Sequence, residues 1–145
     1  MNKVSSLAPD KALASLIEDE ISVEISAEDS RIVPIYRQGS HPSTETPDEF
    51  IEVLHNGVIR AMTQPLGLFR GNLAVVVYCK TFANGTAKFA RIESMMTQIE
   101  SLVDGKESDK IYFEVDSDNL ITPVTYDAET GYSIVILNIE WHTTE

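Results

Sequence analysis

The chain has 145 residues, a single cysteine, 43% apolar residues and a formal net charge of −12. That length suits one domain, residues 1–145, whose core can bury roughly 68–70% of the unfolded surface. No stretch approaches the ~20 apolar residues of a membrane helix, no basic segment followed by an apolar run opens the chain, and a lone Cys79 excludes both a disulfide framework and a cysteine-rich zinc site.

Residues 1–8 read as a loose start. Pro9 and Asp10 suit a first helical turn, and Leu13, Leu16 and Ile17 share one face, which predicts a short helix over 9–20. Residues 21–25 alternate like a strand, so the end of that helix is ambiguous. Residues 28–30 read as a turn and 32–37 as extended, with Pro34 consigning this piece to a sheet edge or a strand start. A loop rich in Pro, Ser and Thr covers 38–48, and 49–55 is a strand with Ile51 and Val53 opposite Phe50, Glu52 and Leu54.

The connection over 56–71 is longer than an ordinary hairpin loop and mixes Ile59, Met62, Leu66, Leu68 and Phe69 with Arg60 and Arg70. It reads either as a long loop or as two strand extensions forming a projecting hairpin with residues 65–67 at its tip. The apolar run 73–82 follows. Leu73, Val75, Val77 and Cys79 take one face and Ala74, Val76, Tyr78 and Lys80 the other, which describes a strand in the middle of a sheet. A turn at 84–86 leads into a predicted helix over 87–103, with Phe89, Ile92, Met96, Ile99 and Val103 as its stripe and Met95 and Leu102 widening it.

Residues 104–109 are a polar loop, with Gly105 near the helix stop. Residues 111–115 alternate as a strand, 116–119 are a turn, 121–126 a short strand broken by Pro123, and 127–131 a second turn. A long closing strand spans 132–141. The whole predicts an α+β fold: a mainly antiparallel mixed sheet covered on one side by a long helix (87–103), with a short N-terminal helix and a long projecting loop or hairpin.

Little here suggests bond-breaking chemistry. His41, His55 and His142 show no i, i+3 or i, i+4 pairing that would hold a metal on a helix. Asp116-x-Asp118 begins like a calcium loop but lacks the glycine at the sixth position and the glutamate at the twelfth. There is no glycine-rich phosphate loop and no Gly-x-Ser-x-Gly elbow. Cys79 reads as a small core hydrophobe and the 18–20 acidic run as a solvated face. No catalytic residue, metal ligand or cofactor site is assigned.

Charge is segregated. Residues 1–30 carry two basic and seven acidic side chains (net −5), 31–91 seven and four (net +3), and 92–145 two and twelve (net −10). Between Val53 and Ile92 there is no acid at all, while Arg60, Arg70, Lys80, Lys88 and Arg91 fall there. A chain this acidic is poorly suited to wrapping nucleic acid. Its basic middle suits an acidic neighbour, another copy included. Trp141, almost at the chain end, either caps the core or serves an assembly.

The order of elements resembles the tail terminator (tail completion) proteins of long-tailed bacteriophages over nearly the whole chain. In that family a strand resembling Asn72-Leu-Ala-Val-Val-Val-Tyr-Cys-Lys leads into a helix covering one side of the sheet. The polar stretch around 38–47 departs from the pattern. The resemblance implies a virion protein forming a ring, usually of six copies, that caps the tail tube and meets the head connector or neck protein, with DNA only in transit through the lumen. Such a ring needs unlike surfaces meeting head to tail, and the expected partner-binding residues are Arg60, Gln64, Leu66, Leu68, Phe69 and Arg70. The alternatives are another neck, head-completion or tail adaptor protein of the same architecture, and a monomeric α+β module binding a ligand or peptide.

Overall fold

The computed structural model describes residues 7–41, 47–62, 68–116 and 124–144. Expected features at 1–6, the middle of the 38–48 loop, the hairpin tip at 65–67, the turn at 117–119, residues 121–123, and the side chains of Gln64 and Leu66 lie outside those residues.

Two twelve-residue strands form the spine, β6 (Phe69–Lys80) and β10 (Tyr132–Thr143). They run antiparallel in register from Tyr132↔Lys80 to His142↔Arg70. Around them lie β3 (Ile35–Arg37), β4 (Glu49–His55), β5 (Arg60–Ala61), β7 (Lys106–Ser108), β8 (Ile111–Val115) and β9 (Thr125–Asp127). Among the described residues the sheet order is β3-β4-β6-β10-β8-β7, with β5 also on β6 and β9 also on β10. Among the described strands only the β3–β4 pair is parallel. The architecture is therefore α+β with a mixed, mostly antiparallel sheet.

The central run begins at Phe69 rather than Leu73, because β10 continues to pair with it as far as Arg70. Alternation separates its two faces as expected. Leu73, Val75, Val77 and Cys79 of β6 join Ile51 and Val53 of β4, Phe113 of β8 and Val135, Leu137, Ile139 and Trp141 of β10 in one buried core. Each such side chain, taken fully out of water, contributes about 1.5–3 kcal/mol before entropy is counted.

One long helix does not cover this face. Two shorter helices share it: α1 (Pro9–Ile17) of 9 residues and α2 (Phe89–Val103) of 15. Six strands span about 24 Å, and a helix is only about 10 Å wide, so a second helix is needed. Helix α1 stops three residues short of expectation, with Asp19 in the left-handed region (φ 62), a conformation that short polar side chains tolerate. Helix α2 buries Ile92, Met95, Ile99 and Val103. Phe89, expected in that stripe, is 57% exposed because it is the first helical residue and borders an open cleft.

The polar 106–108 segment, read as loop from sequence, is β7. It turns into β8 through Asp109 and Lys110 (φ 52 and 61), the double positive φ of a type I′ hairpin. A separate two-stranded sheet joins β1 (Ser22–Glu24) to β2 (Ser30–Ile32), so the extended 32–37 piece is split at Val33-Pro34 between two sheets. The open edge of β1 is met by side chains of α2. The Gln98 amide accepts from Ser22 N–H (3.1 Å) and donates to Ser22 C=O (2.9 Å), and Arg91 donates to the carbonyl of Glu24 (2.9 Å).

Candidate interaction surface

The 56–71 connection takes the form of two strand extensions, and a bulge forms its base. Register passes from His55↔Leu73 to Arg60↔Arg70, so residues 56–59 lie opposite only residues 71 and 72. The extra residues swing out through Gly57 at φ 85, a conformation glycine adopts without steric cost. Met62 N–H then bonds Leu68 C=O (2.8 Å), carrying the hairpin one step further.

This geometry sorts the six expected partner-binding residues. Arg60 and Arg70 are exposed and directly opposite each other, on the face away from the helices. Leu68 and Phe69 are half-buried. Phe69 packs on the core and its N–H bonds Thr143 Oγ1 (2.8 Å), which anchors the base of the hairpin. Gln64 and Leu66 lie outside the described residues.

The remaining basic residues of the middle section are largely spent within the chain. Arg31 grips both Glu49 oxygens (Nη2 at 2.5 and 2.8 Å), and Arg91 donates to the same carboxylate at 2.6 Å. Glu49 is 2% exposed, so two guanidiniums from β2 and α2 neutralise a carboxylate from β4. Asp48 takes Arg31 (3.4 Å) and Lys80 (4.0 Å). Lys88 stands over the Phe82 ring at 5.3 Å. The basic stretch seen in sequence therefore contracts to one outward feature, Arg60 with Arg70, which form no ion pair with any described acid. Like charges directly opposite on a sheet repel.

Arg37 donates to Asp10 (Nε at 2.9 Å), with His55 Nε2 at 3.6 Å. Burial works to raise the Asp10 carboxyl, but Arg37, the Lys11 backbone N–H and His55 together outweigh it and hold it below the ordinary range. A carboxyl depressed in the folded state binds fewer protons there than in the unfolded chain. Its contribution is then complete above the unfolded value near 3.8 and fades as pH falls through the lower folded one. Asp10→Asn should thus destabilise the protein at pH 6 and leave it nearly unchanged at the acid end, so the two melting-temperature curves converge below about pH 4. Parallel curves would remove Asp10 from the acid response.

The face bearing Arg60 is polar at the hairpin end and aromatic at the other. At the aromatic end Phe50 stacks on Tyr78 (4.2 Å), His41 lies between Tyr36 and Phe50 (4.6 and 4.5 Å), and Tyr132 meets Phe50 edge-on at 5.3 Å. Burial, then Glu52, pushes the Tyr78 hydroxyl above its ordinary value. On the helix side burial, then Glu49, pushes the Cys79 thiol up to about 11, so it is no nucleophile near neutral pH. Among the described residues no three His, Cys, Asp or Glu converge as metal ligands.

Among the described residues, two clefts stand out at the surface. One of about 600 Å³ is lined by Arg60, Arg70, Asn72, Glu114, Glu140 and His142. The other, about 550 Å³, lies at the start of α2 between Phe82, 51% exposed, and Phe89.

No family model matches the chain, and no curated protein does. A solved structure whose name carries no functional word is similar at 13% identity and a TM-score of 0.53, covering 79% of this chain and 81% of that one. The likeness extends to the fold.

Proposed function

We propose that this chain is a structural subunit that works by associating with its own copies, as in the ring of a phage tail terminator. In this reading the ring caps the tail tube, meets the head connector, and passes DNA through an acidic lumen that repels the duplex rather than gripping it. One observation carries the reading. A chain of net charge −12 holds two exposed arginines side by side on a bulged hairpin, neither of them in an ion pair with a described acid. That arrangement costs energy in an isolated copy and gains it against an acidic neighbour.

Reversing both charges (Arg60→Glu with Arg70→Glu) tests it. Both side chains are exposed, so the fold should melt within about 2 °C of wild type, while sedimentation shows lost association and electron micrographs show uncapped tubes. Normal rings and infectious particles would overturn the reading. Micrographs of particles lacking the chain separate two roles of one architecture: tails of uncontrolled length mark a terminator, and leaking heads a neck protein.

A second reading draws on the cleft between Phe82 and Phe89, which would serve a monomeric peptide-binding module. A single slow-sedimenting species at every concentration would favour it.

A further inference from the structure

The docking partner of the arginine pair is legible in the strand register, given the self-association proposed above. Cα partners across the sheet run Arg60↔Arg70 (β5–β6), Arg70↔His142 (β6–β10), His142↔Tyr112 (β10–β8) and Tyr112↔Glu107 (β8–β7). Residues directly opposite in antiparallel strands share a face, so these five side chains form one row on the side away from the helices. The neighbouring row reads Asn72↔Glu140↔Glu114. The first row turns negative only at β7, and the second is negative from β10 onward. The cationic end lies on β5, outermost on one side at this level, and the anionic end on β7, outermost on the other.

Four inter-strand steps separate Arg60 from Glu107, about 19 Å. That is more than twice the ~8 Å over which charges are screened at physiological ionic strength. Arg60 and Glu107 therefore cannot neutralise each other within one copy, although Glu114 and Glu140 line the same cleft as the two arginines. The two ends can do so across an interface, and a contact between unlike surfaces repeated head to tail closes into a ring when its rotation allows.

We infer that the Arg60/Arg70 end of one copy docks on the Glu107/Glu114 end of the next. All four side chains are exposed. The occupant of each end is a second copy of this chain, chosen by charge complementarity along a shared row. Among the described residues Glu107 accepts a hydroxyl hydrogen bond from Thr144 and meets no cation.

A charge swap tests this. The basic-end variant (Arg60→Glu with Arg70→Glu) has two acidic ends, and the acidic-end variant (Glu107→Lys with Glu114→Lys) has two basic ones. Each alone should associate ~100-fold more weakly than wild type by sedimentation. Mixed in equal amounts they should associate again, because each then supplies the end the other lacks, and the fourfold variant should associate by itself. Thermal melts confirm that every variant is folded; should Glu107→Lys unfold the chain, Glu114→Lys alone takes its place. If the basic-end variant fails to associate while the acidic-end variant behaves as wild type, self-association stands and this acceptor surface is wrong. If neither variant alters association, or wild type never associates, both the surface and the proposed function fall. Loss in both variants without recovery on mixing also overturns the pairing.

Discussion

Glu49→Ala should lower the melting temperature by about 6–12 °C. The reason is the imbalance it leaves. Glu49 is buried at the start of β4, and its carboxylate is the shared acceptor for Arg31 and Arg91. Removing one member of a buried ionic cluster costs about 3–5 kcal/mol, because the remaining charges keep their lost hydration without their partner. Both arginines retain some solvent, with side chains 40% and 21% exposed, which favours the lower end, about 3 kcal/mol. For a domain of this size each kcal/mol shifts the melting temperature by about 2–4 °C. Replacing the whole cluster (Glu49→Leu, Arg31→Met, Arg91→Leu) should recover most of the loss, since a well-packed apolar substitute avoids the desolvation of all three groups. A Glu49→Ala protein that melts within 2 °C of wild type would show that the cluster holds nothing together.

Gly71→Ala should cost about 2–3 kcal/mol, a fall of roughly 4–12 °C in melting temperature. Glycine to alanine in an ordinary strand is expected to stabilise slightly, through the unfolded chain's lost freedom, so the sign itself is informative. A Cβ at Gly71 would sit 2.7 Å from Trp141 Cζ2 and 2.9 Å from Cε2. Trp141 is 2% exposed, with Phe113 as its Cα partner on the other side, so the indole has nowhere to go. Combining Gly71→Ala with Trp141→Leu should be less damaging than the sum of the two, because the smaller side chain vacates the space the methyl needs. Additive losses would mean that the two residues do not compete. Of the two roles open to Trp141 from sequence, this packing assigns it to the core, where its indole N–H has no acceptor among the described residues.

The sequence made the spine legible and the pairings obscure, for physical reasons. Strands β4, β6 and β10 and the α2 stripe are local periodicities of two and 3.6 residues, and a window of ten residues contains them. Strand β7 is Lys-Glu-Ser, with no apolar alternation; it is a strand because an Asp109-Lys110 turn folds it onto β8. Strand β5 has two residues, set by a bulge that only register reveals. The basic middle segment is real as composition. What composition omits is that Asp48 and Glu49, at the start of β4, meet Arg31, Lys80 and Arg91, up to 42 positions away in the chain. Those long-range pairs leave Arg60 and Arg70 as the informative part of the signal. The aromatic group on the face away from the helices had no local signature either, because Tyr36, Phe50, Tyr78 and Tyr132 come from four different strands.

The Gln98 amide against Ser22 has a consequence for how the molecule can fail. A bare β-strand border is a template on which other chains can build without limit, and short, shielded borders are the usual defence. Here one amide group imitates an absent neighbour, giving and receiving at Ser22 as a strand would, with Arg91 occupying the next carbonyl. Gln98→Ala would expose that border and should raise the tendency to fibrillise at unchanged secondary structure. Growth through β1 is thus closed off, and with it one route to endless, unregulated aggregation.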